Sequence, residues 1–258
     1  MDTSKPTTSR RLTGRVCVIA GAAGAIGEAV AQRLTAEGGI VVGIDLKPHE
    51  TGVVSLIADL TAEDEVREAY ARVHRELGRI DVIYNNAGGV DLADRSALET
   101  SPEIWNKVIA ANLTTTWLSC KHGIPFMLSG EPPKGSVINT GSFLAGMGAA
   151  SAQMAFSAAK AAVAQLTRDL GVNLARSGVR VNALALGPIE TPQLKAMFAG
   201  IGPEQAALRF THMPMARFGT LEELAATVAY LASDDAGFVT ASIFPINGGI
   251  PGAFTVAP

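Results

Sequence analysis

Cysteine is scarce in this chain: two in 258 residues. Cys17 sits in the apolar run RVCVIA and Cys120 in TTWLSCKHGIPFM. Their spacing fits no metal motif, so no metal is expected, and two reduced, core-facing thiols suit a cytoplasmic protein. Charge is also sparse at 17%, with 21 Lys+Arg against 24 Asp+Glu and a net charge of -3. A nucleic-acid surface needs clustered excess base, so no nucleic-acid partner is expected. The opening residues MDTSKPTTSRRL lack the apolar run of a signal peptide, and 1–12 read as a flexible tail. No charged residue occurs between Gly135 and Ala159. Asn139, Gln153 and interspersed serines and glycines argue against a membrane span there, so no membrane partner is expected.

What is present is apolar residue in quantity, 48% of the chain, enough for a sizeable core. Short β-branched runs alternate with longer helical patterns. Strands are expected at Arg15–Ala20, Ile40–Ile44, Val53–Ile57, Ile80–Tyr84, Ser136–Thr140, Arg180–Ala185 and Ile243–Ile246. Helices are expected at about Ile26–Glu37, Glu63–Leu77, Pro102–Leu128, Ser151–Arg176 and Leu221–Ala232. Nearly all-apolar strands in β-α-β alternation imply a parallel sheet covered on both faces. With right-handed crossovers this is an α/β, doubly wound sheet of seven strands, in a single domain over 13–258. The segment 193–217 breaks the rhythm with Gly200, Gly202, Pro203 and Pro214. A long insertion after a strand's C-terminal end reads as a substrate lid.

The segment RVCVIAGAAGAIGEAVAQRLTAEG is a strand, a glycine turn and an amphipathic helix. Gly21, Gly24 and Gly27 recur every third residue, with Ile26 at the helix start. Glycine lets a pyrophosphate approach the helix N-terminus, where free N–H groups and the helix dipole favour an anion. Asp45 closes the second strand. A carboxylate there can bind adenosine ribose hydroxyls and repels a 2′-phosphate; Leu46 follows it where an arginine would read that phosphate. NAD is the cofactor expected.

Ser142, Phe156 and Lys160 carry the next signal. Phe156 and Lys160 are four apart on a helical pattern and share a face. Together with the glycine turn, Asp45, Asp59, Asn85-Asn86-Ala87-Gly88, Asn112 in AANLTTTW, RVNAL, GPIETP and Asn247-Gly248-Gly249, they make the chain resemble the short-chain dehydrogenase/reductase family over nearly its whole length. Asp59 is expected to open the helix after the third strand; the resemblance implies that Asp59, beside Leu60, meets the adenine, and that Asn86, Ala87 and Gly88 support the central strand and cofactor. It implies that Pro188, Ile189 and Thr191 face the nicotinamide amide. It gives Ser142 the substrate oxygen, Lys160 the nicotinamide ribose, and Asn112 a water leading from the lysine to solvent. In the family the position of Phe156 is a tyrosine, whose phenol moves the proton. Ala20, Ala25 and Leu186 are further departures from the family pattern.

Phe156 keeps the ring and drops one oxygen, so packing and cofactor binding are expected to survive. Losing a positioned acid/base typically costs ~10²–10⁴-fold in rate. The chain is then a Tyr-to-Phe form of a working enzyme, or a divergent member that uses a water on Lys160 or Ser142 or catalyses nothing. The expected activity is NAD-dependent interconversion of a secondary alcohol and a ketone, reduced by Phe156. The alternatives are a catalytically silent dinucleotide-binding protein, or a non-redox lyase or isomerase on the same scaffold. Leu194, Met197, Phe198, Ile201, Phe210, Met213 and Met215 in the lid, with Phe143, Leu144 and Met147, predict a mostly apolar pocket for a small-molecule substrate. The alanines of the Phe156 helix and the apolar C-terminus GIPGAFTVAP suit subunit contacts, and the resemblance implies a homotetramer or dimer.

Overall fold

Seven strands pair in parallel in the order β3-β2-β1-β4-β5-β6-β7. The architecture comes from a computed structural model that describes residues 10–49, 54–132, 134–148 and 153–252. The strands are β1 (Val16–Ala20), β2 (Ile40–Asp45), β3 (Val54–Ile57), β4 (Val82–Asn85), β5 (Gly135–Thr140), β6 (Val179–Leu186) and β7 (Ile243–Ile246). The helices are α1 (Ala25–Ala36), α2 (Glu63–Leu77), α3 (Pro102–Ile109), α4 (Thr115–Leu128), α5 (Met154–Leu174), α6 (Pro192–Gly200), α7 (Pro203–Thr211) and α8 (Leu221–Ala232). Val53, Ser151, Ala152, most of the expected N-terminal tail and Ala253–Pro258 of the apolar C-terminus lie outside the described residues.

The central strands are buried along their length, as parallel strands between two helical layers must be. One core joins β1 and β4 side chains such as Cys17, Ile19 and Tyr84 to α1 and α8. The other joins Val18, Ile44 and Ile83 to α2 and α4, through Tyr70 and Leu118. Both cysteines are buried and unbridged. The sequence direction reverses between β1 and β4, so the loops after these strands part and leave a crevice at their C-terminal ends.

Three expectations need correction. The helix expected over Pro102–Leu128 is broken by a π turn at Ala110–Thr114. There the Asn112 amide donates to the Val108 carbonyl at 3.0 Å, taking an acceptor from the regular ladder. Asp59 does not start α2: that place belongs to Ala62, and Asp59 closes a turn by accepting from Thr61. The segment 193–217 is not irregular but forms α6 and α7, each with proline in its first turn, where a missing N–H is harmless.

Candidate active site

The glycine turn between β1 and α1 folds as its sequence requires. Gly21 has φ +91°, and a Cβ on it would collide with the Ala87 backbone. Gly24 precedes α1 with no side chain to cap the first amides, which leaves them as donors. Asp45, at the end of β2, turns its carboxylate back to this turn and accepts from Ala23 N–H at 3.0 Å. Leu46 beside it is 65% exposed and offers no charge. Asn86 donates from its amide to the Gly21 carbonyl at 2.7 Å, fastening the Asn86-Ala87-Gly88 loop to the turn. Gly88 (φ +128°) passes against Asn112, whose amide donates to the Gly89 carbonyl at 2.9 Å and whose oxygen accepts from Gly89 N–H at 3.0 Å. Buried Leu60 and half-buried Asp59 stand past β3, beyond Asp45. Ile189 is buried after β6, and Thr191 caps α6 by accepting from Leu194 N–H at 3.2 Å. Ile26 opens α1, and Pro188 lies on the wall of a cavity beside Ser142. The free amides and the close backbone approach fit a dinucleotide.

Ser142 and Lys160 come together through β5. Ser142 follows the strand, is 6% exposed and accepts from Leu144 N–H at 3.2 Å, leaving its hydroxyl proton to donate. Lys160, 3% exposed on α5, donates from Nζ to the Thr140 carbonyl at 2.8 Å, two residues before Ser142. Its Nζ also lies 5.6 Å from the centre of the Phe156 ring. Burial pulls the Lys160 ammonium down to about 8, and no carboxylate pairs with it among the described residues. Asn112 is fully buried and holds the loop after β4, in the turn N-terminal to α4.

Tyr84 is a link that the sequence reading passed over. Its hydroxyl donates to the Asn86 side-chain oxygen at 3.2 Å and accepts from the Thr140 hydroxyl at 3.2 Å. The chain Gly21–Asn86–Tyr84–Thr140 thus runs from the glycine turn to the strand that holds Lys160. The signal was a tyrosine directly before Asn85-Asn86 on a buried strand. Burial pushes this phenol well above its ordinary range.

A cavity of about 970 Å³ opens beside Ser142, with Phe143, Pro188, Met213, Met215 and Ile246 on its walls. A second, of about 360 Å³, lies between the loop after β4 and the lid, with Val90, Leu92, Gln153 and Met197 around it. Phe198 and Phe210 point elsewhere than predicted. They pack against Phe218, Phe198 edge-to-face at a centroid distance of 4.8 Å and Phe210 tilted at 4.9 Å, and form a small core of the lid with it.

Residues 21–251 match the family described as enoyl-(acyl carrier protein) reductase. Levodione reductase of Leifsonia aquatica is 35% identical over 98% of this chain and 99% of its own length. The chain is a short-chain dehydrogenase/reductase. Cis-4-hydroxycyclohexanecarboxylate dehydrogenase of Sinomonas cyclohexanicum is 36% identical, over 91% of this chain and 96% of that protein. The crystal structure of levodione reductase superposes with a TM-score of 0.84 at 32% identity, covering 95% of this chain and 100% of that one. Another relative of this dehydrogenase/reductase is a protein of Xanthobacter autotrophicus named inactive 2-(S)-hydroxypropyl-CoM dehydrogenase 2. It is 34% identical over 75% of this chain and 83% of its own length. Several relatives are thus dehydrogenases or reductases of alcohols and ketones, so oxidoreductase chemistry on a nicotinamide dinucleotide is the family setting of this site.

Proposed function

We propose that this short-chain dehydrogenase/reductase binds NAD and interconverts a small, mostly apolar secondary alcohol and its ketone, with its rate lowered by Phe156. The observation that carries the proposal is Lys160, buried, with its Nζ on the Thr140 carbonyl two residues before Ser142 and 5.6 Å from the Phe156 ring. The bound nicotinamide supplies or accepts the hydride. Ser142 donates a hydrogen bond to the substrate oxygen and holds the reacting carbon in one orientation. Lys160 holds the nicotinamide ribose, and its positive charge favours the anionic form of a nearby oxygen. Asn112 keeps the loop after β4 in place and anchors a water that connects Lys160 to solvent. Pro188, Ile189 and Thr191 would hold the nicotinamide amide of the bound cofactor, and Asp59 and Leu60 would hold its adenine. With phenylalanine at 156, proton movement on the substrate oxygen lacks its phenol, which removes a contribution of ~10²–10⁴-fold.

Asp45 supports NAD over NADP, since a carboxylate held against the glycine turn repels a 2′-phosphate. Largely apolar cavity walls support a mostly apolar substrate; of the two arginines on them, Arg217 is paired with Glu223 at 2.6 Å and Arg168 is exposed. Exposed apolar side chains on α4 and α5, Trp117 and Val172 among them, support a homotetramer or dimer, and the buried thiols suit the cytoplasm. A second reading is a silent dinucleotide-binding protein. The relative named inactive and the missing phenol favour it. Calorimetry with NADH and NADPH, repeated on Asp45→Asn, tests the cofactor assignment. NADH is expected to bind at least tenfold tighter than NADPH, with the gap closing in the variant. Equal affinity in the parent contradicts the assignment.

A further inference from the structure

Helix α5 carries Phe156 and Lys160, yet it begins without help from its own sequence. Gln153, in the N-cap position, puts no side-chain atom on the first amides. A loop some sixty residues upstream receives them. One oxygen of the Asp94 carboxylate accepts from Ala155 N–H at 3.0 Å and the other from Phe156 N–H at 2.9 Å. The Arg95 carbonyl accepts from Met154 N–H at 3.2 Å. All three free donors of the first turn are therefore bound by two consecutive residues of another element. Asp94 is 2% exposed, and no cation pairs with it among the described residues. Its charge is met by the two amides and by the positive end of the helix.

This arrangement is directional. A carboxylate that reads two successive amides fixes the rotation of the first turn about the helix axis. Phe156 lies in that turn, and Lys160 lies one turn further on the same face. The loop that supplies Asp94 is itself held. Asp94 N–H donates to the Asp91 carbonyl at 3.0 Å, Asp91 pairs with Lys107 of α3 at 2.8 Å, and Arg95 N–H donates to the Thr100 hydroxyl at 2.8 Å. The same loop provides Val90 and Leu92 to the smaller cavity, facing Met197 of the lid, and Asp94 stands in its wall. One acid thus touches the start of the helix that bears the reacting groups and the loop that bounds the substrate side.

We propose that Asp94 is a positioning residue of this active site. It holds the first turn of α5 so that the ring at 156 and Lys160 keep one fixed relation to Ser142, and it ties that relation to the substrate-side loop. The inference rests on the dehydrogenase reading. A loop aspartate can act on catalysis in this way because a misplacement of ~1 Å can cost ~10²-fold in rate.

The test uses the full-length Phe156→Tyr protein, NAD and the alcohol that protein oxidises fastest. Asp94→Asn keeps the shape and one accepting oxygen; Asp94→Ala keeps neither. The expected result is a fall in kcat of about tenfold for Asn and about a hundredfold for Ala. The KM for NAD and the affinity for NADH stay within about threefold of the parent. A graded kcat at constant cofactor affinity is something a mere structural anchor would not produce. Should Asp94→Ala fail to fold, Asp94→Asn carries the test. Unchanged kcat in the folded variant overturns the proposal, and so does a loss of NADH affinity that parallels kcat. If Phe156→Tyr has no turnover, the dehydrogenase reading fails separately. Amide hydrogen exchange in the Phe156 protein then decides: Asp94→Asn is expected to speed exchange at Ala155 and Phe156 at least tenfold, with Val163 at mid-helix unchanged. Equal protection of the first turn overturns the proposal.

Discussion

Lys160 is costly to the folded chain and is kept. Its ammonium falls from 10.5 to about 8 because burial disfavours the charged form. The unfolded chain therefore holds the proton more tightly, and below pH 8 the native state carries a penalty of about 3 kcal/mol. The hydrogen bond to Thr140 returns about 1 kcal/mol of it. Lys160→Met is thus expected to raise the melting temperature of the cofactor-free protein at pH 7 by roughly 5 °C while removing activity. The sign follows from the depressed value: the advantage of methionine shrinks as pH rises from about 8 through 10.5, above which both states of the parent are neutral. Calorimetric melts at several pH values check this; a methionine protein that melts lower at pH 7 contradicts the burial argument. At this scale the sequence marks residues whose type and spacing carry a proposed role, as for Gly21, Asp45, Ser142 and Lys160. It is silent where a contact joins distant elements. Nothing around Asp94 marks it as the cap of a helix at 154, and Tyr84 reads as one more strand residue until Asn86 and Thr140 are seen on either side of it.

The elements followed period and punctuation closely. The strand at Ile243–Ile246 and the helices at Glu63–Leu77 and Leu221–Ala232 have the predicted bounds, because charge, glycine or threonine marks their ends. The π turn at Ala110–Thr114 was not legible, since a one-residue change in helical hydrogen bonding leaves the apolar period of the surrounding helix almost intact. The lid was expected as a loop because glycine and proline were read as breakers; Pro192 and Pro203 instead open helices. Its two helices are joined to each other and to the segment that follows them through Phe198, Phe210 and Phe218. Phe218→Ala removes the ring that both others stack on, so faster proteolysis within Pro192–Thr211 is expected, with the melting temperature of the main body changed little. NADH should slow that cleavage less than in the parent. Unchanged cleavage would mean that the trio does not hold the lid.

The molecule as a whole keeps its two ends for different work. At the end away from the crevice, Arg11 binds Glu37 at 2.7 Å and Asp235, while Arg15 binds the Ala232 carbonyl at 3.1 Å and pairs with Asp234. These pairs fasten the chain's N-terminal segment to the end of α8, and none of the site residues is drawn into them. At the other end the loops after β1, β2, β4, β5 and β6 meet at the crevice. No helix among the described residues is long and apolar enough to cross a membrane. Light scattering is expected to give two or four times the 26.7 kDa chain mass; a 26.7 kDa species at micromolar concentration would contradict the subunit contacts. The central claim is that a working dehydrogenase site lacks one oxygen at residue 156. The most direct measurement is NADH formation by the parent and by Phe156→Tyr, each with saturating NAD and a panel of apolar secondary alcohols. The account predicts equal NADH affinity and turnover at least ~10²-fold faster in the tyrosine protein. Two proteins that bind NADH alike and are equally inert would contradict it and leave the dinucleotide-binding reading in its place.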